Sequence, residues 1–241
     1  MQLQIAHLQE QRTDYDTRNA IQSLTRGLHP TFTRSLQSID LLPPTRLARA
    51  KRVLRWVICA AHPMSLRELS DAVVVPDMQQ SWDSSRCINK PISLIDDCFH
   101  LVHCTDVSEN SEDAKVQLIH SSVKEFLLQN PMVHGSSLTG YHIYPLPDAQ
   151  VTIAEDCLKY LRLTAPEAPE VPQGTYPFGL YQDIRDRHPF LTYASEFWPQ
   201  HLRASGTSGE KCVFVFCEFM QTELFRQFWS DCYNRKRYVS P

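Results

Sequence analysis

Between Thr45 and Ala61 the apolar positions Leu47, Ala50, Leu54, Val57, Ile58 and Ala61 recur at helical spacing, while Arg46, Arg49, Arg52 and Arg55 face elsewhere. This is the clearest helix pattern of the chain. After His62-Pro63, Ser65 and Glu68 have capping-box spacing and lead Leu66, Leu69 and Val73 along a short helix that stops by Pro76. Pro91 suits the first position of a third helix carrying Ile92, Ile95 and Asp96. Phe99, Leu101 and His103 then alternate with His100, Val102 and Cys104, and Lys115 to Ile119 supplies a second strand after the acidic turn Ser108 to Asp113. That second strand runs straight into a helix, in which Ser122 and Glu125 have capping-box spacing and Val123, Phe126 and Leu127 form an apolar face. Three helices, a hairpin and a further helix make a winged-helix layout with one extra helix at its end.

The flanks read less sharply. Residues 1–13 are Gln-rich without a strong period. Ile21, Leu24 and Leu28, then Phe32, Leu36 and Ile39, predict two helical pieces broken near Gly27 and Pro30, with Thr31 capping the second. Leu42-Pro43-Pro44 ends that unit. Beyond the winged helix, Pro131, Gly135, Gly140, Pro145 and Pro147 mark a linker, after which Ala149 to Leu163 reads as a helix and Thr164 to Pro177 as a Pro-rich loop. Phe190 to Leu202 follows, and after Gly206 to Gly209 one last helix bears Val213, Phe216, Phe219, Met220, Leu224, Phe228 and Trp229. Trp198 is expected in a core cluster with Phe190, Tyr193 and Phe197. The fold expected is therefore mainly α: an N-terminal helical segment (1–44), a winged-helix domain with a small β-hairpin (45–130), a linker (131–148) and a helical domain (149–241).

Composition narrows the function classes. With 42% hydrophobic residues in 241, the chain can bury a real core. A formal charge of −3 gives no general affinity for nucleic acid, so such a role would rest on a local patch, for which only the arginines of the first long helix offer themselves. A winged-helix DNA-binding protein is the alternative reading they motivate. Against it, the would-be recognition helix Pro91 to Asp97 carries Asp96 and Asp97, and the wing turn holds Glu109, Glu112 and Asp113. The eight cysteines are scattered, so free thiols in a reducing compartment are expected. Met1 to Ile5 lack the basic start and apolar core of a secretory signal, and the longest apolar run, Val57 to Ala61, is far shorter than the ~20 residues of a membrane span. A cytoplasmic protein without a membrane partner is expected.

Catalytic chemistry finds no foothold in the motifs. Only seven glycines are present and none opens a phosphate-binding loop. Cys98, His100, His103 and Cys104 are metal-capable, but on an alternating strand they point to both faces, so no metal site is expected. Ser121 and Ser122 lack the glycines of a nucleophile elbow, and Asp96-Asp97 and Glu112-Asp113 fall where solvated ends are expected. No catalytic residue is assigned. The one position with a suggestive setting is His120, at the junction of a strand and a helix N-terminus, where unpaired N–H groups and the positive dipole end suit an anion. From the residues alone, a histidine so placed is more often a satisfied, half-buried one than a ligand contact.

Three stretches carry a resemblance: Ala20 to Leu24 through Gly27-Leu28, Thr31-Phe32 and Leu36; Ala50 to Trp56 with Ala60 to Leu69; and Leu118 to Leu127. Together they resemble the segment that follows the NTPase core in fungal NACHT-type STAND proteins, regulatory P-loop NTPases akin to NOD-like receptors. Tyr193-Ala194, Trp198-Pro199 and His201 are similar to the helical region that precedes ankyrin or WD40 repeats there. The resemblance implies a non-enzymatic regulatory module of a nucleotide-state switch in non-self recognition or innate-immunity-like signalling. Its partners would be an NTPase core, in cis or in trans, and repeat domains. It also implies that His120 matches the histidine that contacts the β-phosphate of ADP, so that ADP or ATP is a cofactor only with a core present and none binds in isolation. Walker A and Walker B residues are missing from the sequence, which is expected to be a fragment or a degenerate relative acting as a binding module.

Overall fold

The computed structural model of the chain describes residues 13, 28–75, 81–105, 113–128, 146–168 and 182–233, without the side chains of 211–215 and 218. The leader 1–12, the pattern at Ile21 and Leu24, the acidic turn before Asp113 and most of the linker lie outside the described residues.

Helix α1 is described over 28–40 and is already running at Leu28, so Thr31 lies inside it. The expected break at Pro30 and the cap at Thr31 are thereby corrected for residues 28–40. Helix α1 packs its inner face on the winged helix through Phe32, whose ring centroid is 5.6 Å from that of Phe126. Pro43 and Pro44 then do two jobs. Extended Pro43 (φ −54°, ψ 148°) stops α1, and Pro44 supplies the pre-set first residue of α2 (Pro44–Cys59).

Helix α2 buries Ala50, Val53, Leu54, Trp56, Ile58 and Cys59. Helix α3 (Leu66–Ala72) starts with the expected capping box: Ser65 Oγ accepts from Glu68 N–H and the Glu68 carboxylate accepts from Ser65 N–H. Helix α4 is a single turn, Ser93–Asp96, starting two residues later than Pro91; Leu94 is the residue it buries, while Ile92 is half exposed. The hairpin is shorter than the alternation suggested, with β1 (Val102–Thr105) antiparallel to β2 (Lys115–Leu118) and Val102 opposite Leu118. Phe99 and His100 cannot belong to β1, because both have positive φ (44° and 64°) and turn the chain out of α4. An isolated bridge from Ser65 to Lys115 adds a third, minimal rung, in which Leu66 N–H donates to Ala114 O and Val116 N–H to Met64 O. Helix α5 (Ser121–Leu128) closes this unit, burying Val123, Phe126 and Leu127.

Helix α6 runs Leu146–Thr164, so residues 146–148, read as linker, are helical; Pro147 sits in the first turn, where its missing N–H breaks no bond. Then come α7 (Gln182–Arg187) and α8 (Leu191–Ala204), which makes the most extensive helix contact in the fold with α6. Gly206 takes φ +54° just past α8, the left-handed residue a helix end calls for. The expected last helix is two, α9 (Val213–Gln221) and α10 (Glu223–Tyr233), parted at Thr222, whose carbonyl accepts the first α10 bond from Arg226 N–H. The fold is thus mainly helical, with a winged-helix domain and one small hairpin.

One apolar cluster runs through both parts. Trp56 of α2 meets Phe190 and Tyr193 edge-on at 5.2 and 5.8 Å. Trp198 is buried, but not in the cluster expected of it: its ring partners are Phe216 at 5.4 Å and Trp229 at 5.6 Å, while Tyr193 and Phe197 line the other side of α8 against the winged helix.

Candidate functional site

Residue His120 stands at the N-cap of α5, and the local hydrogen bonds define what its ring can do. Its Nδ1 accepts from the backbone N–H of Ser122 at 3.1 Å and lies 2.7 Å from Ser122 Oγ, while its carbonyl accepts from Val123 N–H. The imidazole therefore caps the helix, a task the Ser122–Glu125 spacing had suggested for Ser122. That reading is corrected by geometry: Ser122 is inside the first turn, and its hydroxyl answers the histidine. An acceptor Nδ1 places the proton of the neutral ring on Nε2. His120 is exposed, and among the described residues nothing occupies that Nε2–H. The satisfied histidine and the anion-facing histidine are thus one residue, exposed rather than half-buried: one ring edge caps the helix and the other faces solvent. The Ser122–His120 contact is not laid out for nucleophilic attack, since Ser122 is only 2% exposed.

The arginines of α2 divide. Arg46 forms a forked pair with Asp97 at the end of α4. Arg52 donates to the carbonyls of Val75 and Ala72 and to Asp156 Oδ2 at 2.9 Å, tying α2 to α3 and α6. Burial pushes the Asp156 carboxyl up to about 6 against the pull of Arg52. Arg52 is therefore a domain-facing residue. Beside it, Tyr160 donates to Asp71 Oδ2 at 2.6 Å, and burial raises the Asp71 carboxyl.

A polar chain that the sequence did not announce crosses the same interface. Gln150 Nε2 donates to Cys59 O, His201 Nδ1–H donates to Gln150 Oε1 at 2.6 Å, Tyr193 O–H donates to His201 Nε2 at 2.8 Å, and Ala61 N–H donates to Tyr193 Oη at 2.8 Å. The ends of this chain are the C-terminus of α2, and burial lowers the His201 imidazole to about 4, so it stays neutral. Tyr193 and His201 lie about two turns apart on α8, and that spacing was the available signal. Cys98, His100, His103 and Cys104 do not converge: Cys98 is buried and donates to Leu94 O, whereas His100 is exposed. Among the described residues, no group of three or more His, Cys, Asp or Glu is placed to hold a metal ion, and no helix is long and apolar enough to cross a membrane.

Helices α2 to α4, the hairpin with its bridged third rung, and the positions of Ser65 and His120 at two helix starts define a winged-helix domain. Residues 44–138 match the family model described as GPI inositol-deacylase, winged helix domain. No curated protein and no solved structure matches the chain.

Proposed function

We propose that this chain is a non-enzymatic regulatory module: the winged-helix and helical region of a STAND-type signalling NTPase, working with an NTPase core in cis or in trans. The observation that carries the reading is the free Nε2–H of His120 at the N-terminus of α5, where a helix dipole and a ring donor face solvent together. A β-phosphate of ADP held by a core would complete that corner and favour the closed state of the switch. The match to a winged-helix family linked to NACHT proteins supports the assignment of the module. Against the DNA-binding alternative, two of the four arginines of α2, Arg46 and Arg52, are engaged by Asp97 and Asp156, and exposed Asp96 would face phosphates. Cytoplasmic signalling, with repeat domains as further partners, belongs to the same proposal.

The test uses two substitutions in a protein that joins this module to a NACHT-type core. His120→Ala removes both cap and donor, whereas His120→Asn restores a good cap without the ring donor. Both should lose ADP faster than the wild type and self-associate without a trigger. If His120→Asn retains ADP like the wild type, the phosphate-contact reading is wrong. ATP turnover by the chain alone, at a rate that scales with its concentration, would overturn the non-enzymatic assignment.

A further inference from the structure

The hairpin has one edge that is only partly paired. Ile119 N–H donates to Leu101 O across the β1–β2 ladder, so the pleat turns the amides of Val116 and Leu118 to the opposite edge. There Val116 N–H reaches Met64 O, and the pairing stops. The next rung of this register would join Leu118 N–H to His62 O, and no such bond forms where residues 61–62 bend. Among the described residues no backbone group answers the amide of Leu118.

A groove of about 330 Å³ opens at this place. Its walls are the segment Ala60 to Met64 and the strand edge Val116 to Leu118, open at Leu118; Val57 and Ile58 lie at its base, and Ser121 and Lys124 of α5 stand at one end. The first wall is held from behind, since Ala61 N–H is bound by Tyr193 and His62 packs on the rings of Tyr193 and Phe197 at 5.1 and 5.0 Å. A preformed slot beside the unanswered Leu118 end of a strand edge is the geometry of strand addition, where main-chain bonds supply affinity and side-chain pockets supply selectivity. Charge selects the occupant. Lys124 stands exposed at the end of the groove with no ion-pair partner among the described residues, and no acidic side chain lines the groove.

We infer that this groove binds an extended segment of a partner protein as an added strand beside β2, with an acidic side chain of that segment directed at Lys124. His120 does not line the groove. The two sites are therefore separable, and the inference does not depend on the nucleotide reading.

The experiment uses a fluorescein-labelled peptide of about ten residues, alternating valine and threonine and ending in two glutamates, titrated with the full chain and followed by anisotropy. Saturable binding is expected. It should weaken about tenfold or more when alternate peptide amides are N-methylated, when the glutamates are replaced by lysine, and in Lys124→Glu, while His120→Asn leaves it unchanged. Leu118→Pro should abolish it. If that variant melts early, the N-methylated peptide tests the same bond from the other side. No saturable binding, or binding indifferent to N-methylation, overturns strand addition; binding indifferent to charge reversal overturns the acidic occupant. A concentration-dependent dimer in sedimentation that blocks the peptide would make a second copy the occupant and overturn the proposal of a partner segment.

Discussion

The indole Nε1–H of Trp229 donates to the carbonyl oxygen of Ser195 at 2.9 Å, and that carbonyl is the one Pro199 leaves unanswered inside α8. Proline at position i removes the bond to i−4, so a helix interior tolerates it only where something else answers the freed oxygen. Here the answer comes from α10. Trp229→Phe should therefore destabilise the chain by about 1 to 3 kcal/mol, and by less in a Pro199→Ala background, where the amide that alanine restores can take the carbonyl. Urea melts of the four proteins in this cycle check it; strictly additive losses would mean that the two residues are not coupled.

At His120, stability and function should separate. In the chain without a core, His120→Ala should cost about 0.5 to 2 kcal/mol through the lost cap, and His120→Asn should recover most of it. Thermal melts of the three proteins decide this. An alanine variant as stable as the wild type would show that the Nδ1 bond contributes nothing to α5.

Two buried groups should set opposing pH slopes. His201, ordinarily near 6.5, is held at about 4, so between those values the unfolded chain binds a proton that the native chain refuses, and stability falls as pH drops from about 6.5 toward 4. Asp156, raised to about 6 from an ordinary 3.8, does the reverse: the native chain takes up a proton first, and stability rises as pH drops from about 6 toward 4. Each effect is on the order of 3 kcal/mol, and Asp71, also raised, adds to the second. The wild type should thus show a shallow profile over this range. His201→Gln should become more stable on acidification from pH 6 to 4 and Asp156→Asn should become less stable, as read from urea midpoints across the series.

Removing Arg52 while keeping Asp156 should be severe. Arg52→Met leaves a buried carboxylate and the carbonyls of Ala72 and Val75 without their cation, a loss of about 3 to 5 kcal/mol. The double change Arg52→Met with Asp156→Leu should recover a large part of that. Denaturant midpoints test both variants, and a double variant no better than the single one would show that the pair is not the source of the loss.

The sequence carried the parts of the fold that rest on local rules. Helical spacing in α2 and the Ser65–Glu68 box were legible because periodicity and capping are written within a few residues. What was not legible depended on contacts far along the chain. Phe99 and His100 alternate with their neighbours as strand residues would, yet positive φ at both reflects the tight exit from α4, which no period records. Trp198 was assigned to neighbours near in sequence, whereas its partners Phe216 and Trp229 arrive from two later helices. At the candidate site His120 stands out by its position, but the Ser122–Glu125 spacing points to Ser122 as the cap; a histidine Nδ1 has the reach of an asparagine oxygen at an N-cap, yet is a less familiar cap.

Trp56 belongs by topology to the winged helix and by packing to both halves, since Phe190 and Tyr193 close over it from the helical region. A chain cut in the segment between α5 and α6 would present that indole, with the C-terminus of α2 and the carbonyls served by Arg52 and Gln150, to water. The described elements should accordingly unfold in one cooperative transition, with tryptophan fluorescence and helical circular dichroism losing signal together. Boundaries drawn from chain order and boundaries of independent folding then fall in different places, and an excised winged helix should bind hydrophobic dyes where the intact protein does not.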